Sequence, residues 1–201
     1  MQNNIKTMYI NKEDIKLACL NKDNIEQYAE QIKRFESKRE RYTKVLKDTY
    51  AEMTSKHQLL DSDENRKYRN TTILLIDDKK NDVICFCSYS CSHVKIDAEL
   101  FLPAIEIETF AMNKDYSGAK RVIDGDDKYS CSDYAIRFCI NRFEKIKEKY
   151  IYASLVKLYS DTNREVLKFY KRNNFEQFPA SWRFLKDATT NHEFCFFRML
   201  K

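Results

Sequence analysis

Apolar positions recur along this chain with two different periods, and the change of period marks its elements. From Asn24 to about Lys56 the period is helical. Ile25, Tyr28, Ile32 and Phe35, then Tyr42, Val45, Leu46, Thr49 and Met53, predict one or two helices. Ser37 is a candidate cap for the second. A short mixed stretch ahead of them, Asp14 to Leu20, predicts an opening strand. After Asn70 the texture becomes β-branched and continuous. TTILLI (Thr71–Ile76) and VICFCSYSC (Val83–Cys91), joined by the polar DDKKND, predict a hairpin. Pro103 opens a third run, AIEIETFAM (Ala104–Met112), where its missing N–H is tolerated. A long polar loop is expected from Asn113 to about Ser130. Tyr134 to Ile146 carries a broad apolar helical face, with Ser132 or Asp133 as candidate cap. YIYASLVKLY (Tyr150–Tyr159) predicts a strand, DTNREVLKFYKRNNF (Asp161–Phe175) a short helix, and EFCFFRML (Glu193–Leu200) a closing strand. Helices intermixed with mostly consecutive strands indicate a mixed α/β domain around one central sheet.

Composition narrows the class. A chain of 201 residues, 43% hydrophobic, is long enough to bury one core. Two glycines and two prolines exclude collagen-like, linker-rich and low-complexity chains. No apolar run approaches the about 20 residues needed to cross a membrane. The opening MQNNIKTMYINKEDIK has no apolar segment of signal type, so a cytoplasmic location is expected. The organisation expected is one domain over 1–201, with a strand and helices over 14–60 and a sheet core over 70–200.

Charge and cysteine alter this picture little. Lys and Arg number 36 against 31 acidic residues, which suits a polyanionic partner or a phosphorylated cosubstrate and equally suits a solvated surface. The run KRFESKRERYTK reads either as a phosphate-binding face or as a helix flank. Seven scattered cysteines form no C-x-x-C pair, and no metal is expected. Cys85, Cys87 and Cys91 share one strand parity. Both glycines, Gly118 and Gly125, fall in the predicted loop, where backbone shape matters.

Two segments carry a resemblance. NREVLKFYKRNNF (Asn163–Phe175) is similar to the N-x-x-A-x-x-x-Y-x-x-x-G-F helix of the GNAT-type N-acetyltransferases, with Asn163, Tyr170 and Phe175 at matching spacings. Val166 stands for the family's small Ala and Asn174 for its Gly, a mild change because Asn tolerates a left-handed helix terminus. IEIETFAMNKDYSG is similar to the family's fourth strand running into its pyrophosphate loop. By order of elements the likeness covers roughly 70–200.

The resemblance implies a GNAT-like fold: a central, mostly antiparallel sheet, its fourth and fifth strands splayed, flanked by helices. It implies acetyl-CoA as cosubstrate, its pantetheine arm pairing with the fourth strand as an added strand would. Ala111 and Met112 would make main-chain contacts. Gly118, Ala119, Lys120, Arg121 and Val122 would meet the pyrophosphate, with Lys120 and Arg121 offering charge where glycines are missing. A second register would place that group against Ser130, Cys131 and Ser132, before the helix. Asn163 would cap or anchor the last helix near the cosubstrate. Tyr170 would protonate the leaving thiolate, and Glu106, matching the glutamate some family members use as general base, would accept the amine proton; Glu108, alternating with apolar residues on the same strand face, is a further catalytic candidate.

The expected reaction is direct attack of a primary amine on acetyl-CoA. A route through a Cys131 acyl-enzyme is discounted because no histidine stands near it in sequence. The acceptor is open: tRNA or another nucleic acid, as for tRNA-acetylating toxins of this family, is one partner the basic surface suits. A second class is a degenerate acetyltransferase fold that acts as a binding module for nucleic acid or protein.

Overall fold

A computed structural model describes residues 7–55, 70–96, 99–118, 120–149, 153–160, 163–179 and 194–201. They form a mixed α/β fold. In chain order the elements are β1 (Tyr9–Asn11), β2 (Ile15–Cys19), α1 (Ala29–Arg34), α2 (Glu40–Thr54), β3 (Thr71–Asp77), β4 (Asp82–Lys95), β5 (Phe101–Met112), β6 (Arg121–Asp124), β7 (Asp127–Ser130), α3 (Cys131–Lys149), β8 (Leu155–Ser160), α4 (Arg164–Arg172), β9 (Glu176–Gln177) and β10 (Phe194–Met199). Two compact units emerge: Met1–Ser88 with Thr109–Ala135, and Tyr89–Glu108 with Ile136–Lys201. The long strands β4 and β5 and the helix α3 contribute residues to both.

In the first unit the ladder order is β2-β3-β4-β5. β2 runs antiparallel to β3, from Ile15↔Asp77 to Cys19↔Ile73. The helical stripe read from the sequence is the core here. Ile25, Ile32, Phe35 and Leu46 pack with Leu74, Ile76, Val83, Phe86 and Ala111. Phe35 meets Phe86 edge-on at 5.4 Å between ring centres. Each such buried side chain contributes about 1.5–3 kcal/mol of transfer free energy. α2 starts later than Ser37 suggests: Arg39 precedes it with no side-chain cap, and Ser37 instead donates its N–H to Thr43 Oγ1 at 2.8 Å.

The predicted loop from Asn113 to Ser130 is not a loop. A 3-10 turn (Lys114–Tyr116) leads into the hairpin β6–β7, and β6 also pairs in parallel with β1, giving a separate sheet of order β1-β6-β7. β1 was absent from the sequence expectation. These strands have three or four residues each, and β6 and β7 are half charged, so they carry too little periodicity to be seen. Gly125 opens the two-residue turn of the hairpin at φ 66°, a conformation that suits Gly at the first central position.

In the second unit the order is β4-β5-β8-β10-β9. β10 pairs antiparallel with all of β8, from Phe194↔Ser160 to Met199↔Leu155. β5 pairs in parallel with β8 over Ala104–Ile107 against Leu155–Leu158. That register ends although β5 continues to Met112 and β8 to Ser160. Pro103 lies inside β5, near its start, where its carbonyl accepts the Ser154 N–H at 2.8 Å. Val94, Ala104 and Leu155 form a small buried cluster on one face of this ladder. Tyr89 packs edge-on against Phe143 of α3 at 4.8 Å. Of the three cysteines sharing a parity on β4, Cys85 and Cys87 are buried and Cys91 is exposed. Among the described residues no helix is long and apolar enough to cross a membrane, and no cluster of His, Cys, Asp or Glu could hold a metal.

Candidate functional site

The candidate residues divide between the units. Glu106, Glu108, Tyr170 and Asn163 belong to the second; Ala111, Met112, Gly118, Lys120, Arg121 and Val122 to the first. Ala119 lies outside the described residues.

In the second unit, strand register assembles a polar row. Glu106 pairs in register with Lys157 of β8, and their side chains form an ion pair at 2.7 Å with 17% and 11% of their surfaces exposed. Ser92 of β4 donates its hydroxyl to Glu106 at 2.9 Å. Two residues along, Ser90 donates to Glu108 at 2.7 Å. Both carboxylates therefore face the same side, as their alternation requires. Their surroundings differ. Glu106 is closed by an ammonium and a hydroxyl, whereas Glu108 is exposed and makes no ion pair among the described residues. Cys195 stands opposite Tyr159 in the next register, and burial pushes its thiol up to about 12. Lys157 was not singled out from the sequence. The signal was a lone lysine between Val156 and Leu158, because a buried ammonium needs a partner.

Tyr170 is a core side chain near the end of α4. Its ring meets Phe175 at 5.5 Å and Phe196 at 5.7 Å. Asn163 is the helix cap: its side-chain oxygen accepts the Glu165 N–H at 2.9 Å. At the other end Asn174 takes the left-handed conformation, φ 62°, that the family's Gly would occupy. The Phe175 N–H then closes on the Tyr170 carbonyl at 3.0 Å.

In the first unit Ala111 is buried in the core and Met112 ends β5. Gly118 follows the 3-10 turn at φ 101°, with nothing near the position a Cβ would take. Arg121 and Val122 lie in strand β6 between β1 and β7, and Val122 is buried. The Arg121 N–H donates to the Met8 carbonyl at 2.8 Å. Ser130, not Ser132 or Asp133, caps α3: its hydroxyl accepts the Asp133 N–H at 3.1 Å and donates to the Asp133 carboxylate, a reciprocal cap.

Lys120 extends over the ring of Tyr116, 3.9 Å from its centre, and Lys80 reaches the same ring at 5.7 Å. Tyr116 is buried and donates its hydroxyl to buried Asp77 at 2.9 Å. Burial, then that hydrogen bond, push the phenol far above its ordinary range. Burial and the neighbouring Lys80 ammonium hold Lys120 below the usual lysine range. Burial raises Cys131 to about 12, so at neutral pH its thiol is protonated and inert. Lys80 and Tyr116 were not anticipated. Tyr116 and Asp77 stand 39 positions apart, and no local pattern links them.

No family model and no curated protein sequence matches this chain. Solved structures do match its fold. An AtaT toxin carrying a tyrosine-to-phenylalanine mutation, bound to the C-terminus of the antitoxin AtaR and acetyl-CoA, superposes with TM-score 0.62 at 13% identity, covering 93% of this chain and 94% of that one. AtaT complexed with acetyl-methionyl-tRNAfMet gives 0.61 at 12% identity, covering 92% and 95%. A tyrosine-to-phenylalanine mutant of KacT gives 0.60 at 11% identity, covering 93% and 95%. The fold is therefore the GNAT-like one the sequence motifs implied.

Proposed function

We propose that this chain transfers the acetyl group of acetyl-CoA to an amine by direct attack. One observation supports the reading most: the β5–β8 register stops at Ile107↔Leu158 while β5 continues to Met112. A strand that outruns its neighbour offers main-chain groups to an extended ligand, and the pantetheine arm is such a ligand. Ala111 and Met112 lie on that continuation. The fold is shared with a toxin solved with acetyl-CoA.

The reaction needs an amine to lose a proton, a carbonyl to be polarised and a thiolate to be protonated. We assign the first role to Glu108. Glu106 accepts from both Lys157 and Ser92 on one oxygen, Oε2, and its charge is balanced by the ammonium, whereas Glu108 has no ion-pair partner among the described residues. It fixes the strand that carries Glu108. The amine nitrogen bonds to the acetyl carbon, the C–S bond breaks, and Tyr170 gives its proton to the sulfur. Asn163 holds the start of the helix that carries Tyr170. Cys131 takes no part, since its buried thiol stays protonated.

The acceptor we infer is the amine of an aminoacyl-tRNA. Its support is the AtaT complex with acetyl-methionyl-tRNAfMet and the excess of 36 basic over 31 acidic residues here. Titration with acetyl-CoA tests the activity first. At 100 times its Kd the ligand adds about 2.7 kcal/mol of stability, read as a rise in melting temperature. Tyr170→Phe keeps that binding and lowers turnover on methionyl-tRNA by about 100-fold. No shift at millimolar acetyl-CoA would reject the transferase reading and favour a binding module on the same fold.

A further inference from the structure

Four backbone donors of the segment ahead of α3 and its first turn are spent on the protein itself. The Arg121 N–H donates to Met8 O at 2.8 Å, the Cys131 N–H to Lys120 O at 3.2 Å, and the Ser117 N–H to Lys114 O at 3.3 Å. The Asp133 N–H goes to Ser130 Oγ at 3.1 Å. The Asp133 carboxylate that completes this cap puts negative charge in the first turn of α3, where a phosphate would otherwise be welcome.

Cations stand nearby instead. Lys80 comes from the turn between β3 and β4, Lys120 from the residue before β6, and both ammonium groups converge on Tyr116. The platform under them is rigid. The Tyr116 hydroxyl and the Lys80 N–H both bond Asp77, at 2.9 and 3.1 Å, one to each carboxylate oxygen. A single buried carboxylate thus fixes the ring and the turn that carries Lys80. Neither ammonium has a carboxylate partner among the described residues. Asp115 and Cys131 act on Lys120 only more weakly than burial and Lys80 do. Two adjacent like charges on an aromatic platform repel one another, and a multivalent anion between them reverses the sign of that energy.

We infer that Lys80 and Lys120, seated on Tyr116, form a two-lysine clamp for a diphosphate group, in place of the backbone donors already spent. The clamp rests on the acetyl-CoA reading in one respect, the identity of the diphosphate carrier. Arg121 and Val122, held in β6, are not part of it.

Calorimetric titration of the full chain with three probes tests the clamp: acetyl-CoA, S-acetylpantetheine, which lacks the diphosphate, and inorganic pyrophosphate. The variants are Lys80→Met, Lys120→Met and both together; methionine keeps the apolar stem and removes the charge. Each single change is expected to weaken acetyl-CoA binding by about 10-fold and the pair by about 100-fold, with S-acetylpantetheine unaffected. Lys79→Met, in the same turn, serves as the silent control. If acetyl-CoA binds the wild type and the double variant equally, the clamp is wrong and the acetyl-CoA reading stands. Equal weakening of acetyl-CoA and S-acetylpantetheine also overturns the clamp. If the wild type ignores acetyl-CoA but binds pyrophosphate, and the double variant does not, the clamp stands and the transferase reading falls. Binding of neither rejects both. Ligand-free melting temperatures of the variants separate lost binding from lost folding.

Discussion

Two lysines of this chain lie beside aromatic rings in opposite circumstances. Lys157, in the second unit, is 2.7 Å from Glu106 and 5.7 Å from the centre of the Tyr159 ring. Lys120, in the first, is 3.9 Å from the centre of the Tyr116 ring, and the charge beside it is another lysine. The Lys157 charge is closed within the protein by strand register. The Lys120 charge is open. A closed buried pair serves folding, since losing either partner leaves an uncompensated ion. An open pair of like charges weakens the ligand-free fold and is tolerable where an anion binds. On the proposed reading, site chemistry is marked by charges that are not neutralised. That separates Glu108 from Glu106 on the same grounds.

The largest test of this contrast is Glu106→Gln. It strands Lys157 on a nearly covered sheet face, and stability should fall by about 3 kcal/mol in urea unfolding. Glu106→Gln combined with Lys157→Met should recover most of the loss, because the orphaned charge is gone. Should Lys120→Met cost as much as Glu106→Gln, the distinction between closed and open charge would collapse.

Tyr116→Phe comes next in size. It removes the hydroxyl from Asp77 and leaves that buried carboxylate with the Lys80 N–H. The expected loss is about 1–2 kcal/mol by the same unfolding measurement. The ring is retained, so both lysines keep their platform. A loss below about 0.5 kcal/mol would mean that Asp77 is rehydrated and that the platform is not rigid.

What the sequence disclosed was local, and what it hid was long-range. Asn163 and Asn174 could be read because a cap and a left-handed terminus depend on neighbours within a few positions. The helical stripe over Ile25 to Leu46 and the alternation at Glu106 and Glu108 were likewise written in short periods. The Lys157 partner was hidden because it depends on how β5 and β8 align in register. Lys80, Tyr116 and Asp77 meet through a turn, a 3-10 segment and a strand end, none of which has a periodic signature. The hairpin β6–β7 passed for a loop because its residues RVID and DKYS bury little. Chemistry-bearing residues were thus easier to nominate than to pair, and pairing decides which of them are available to a ligand.

The finest test uses pH. Lys120 is held below its unfolded value of 10.5 by burial and by Lys80. Between the lowered folded value and 10.5 the unfolded chain binds more protons at this position than the folded one. Stability from this group therefore rises with pH across that window and is lowest at the acidic side of it. Tyr116 and Cys131 have the opposite sign. Both are raised in the fold, so the stability they contribute is present below their unfolded values and is lost as pH climbs above them. The three overlap, and the slope of the wild type alone would not isolate Lys120. The difference between wild type and Lys120→Met cancels Tyr116, on whose titration Lys120 does not act, and reports the Lys120 charge together with its coupling to Cys131. Subtracting the variant's unfolding free energy from the wild type's, in the absence of ligand, should give a difference that increases as pH approaches 10.5. Saturating pyrophosphate should flatten that difference, since the anion compensates the Lys120 charge. A difference that stays level with pH in the ligand-free protein would mean that Lys120 is solvated like any surface lysine and its charge is not open in the sense that distinguishes it from Lys157.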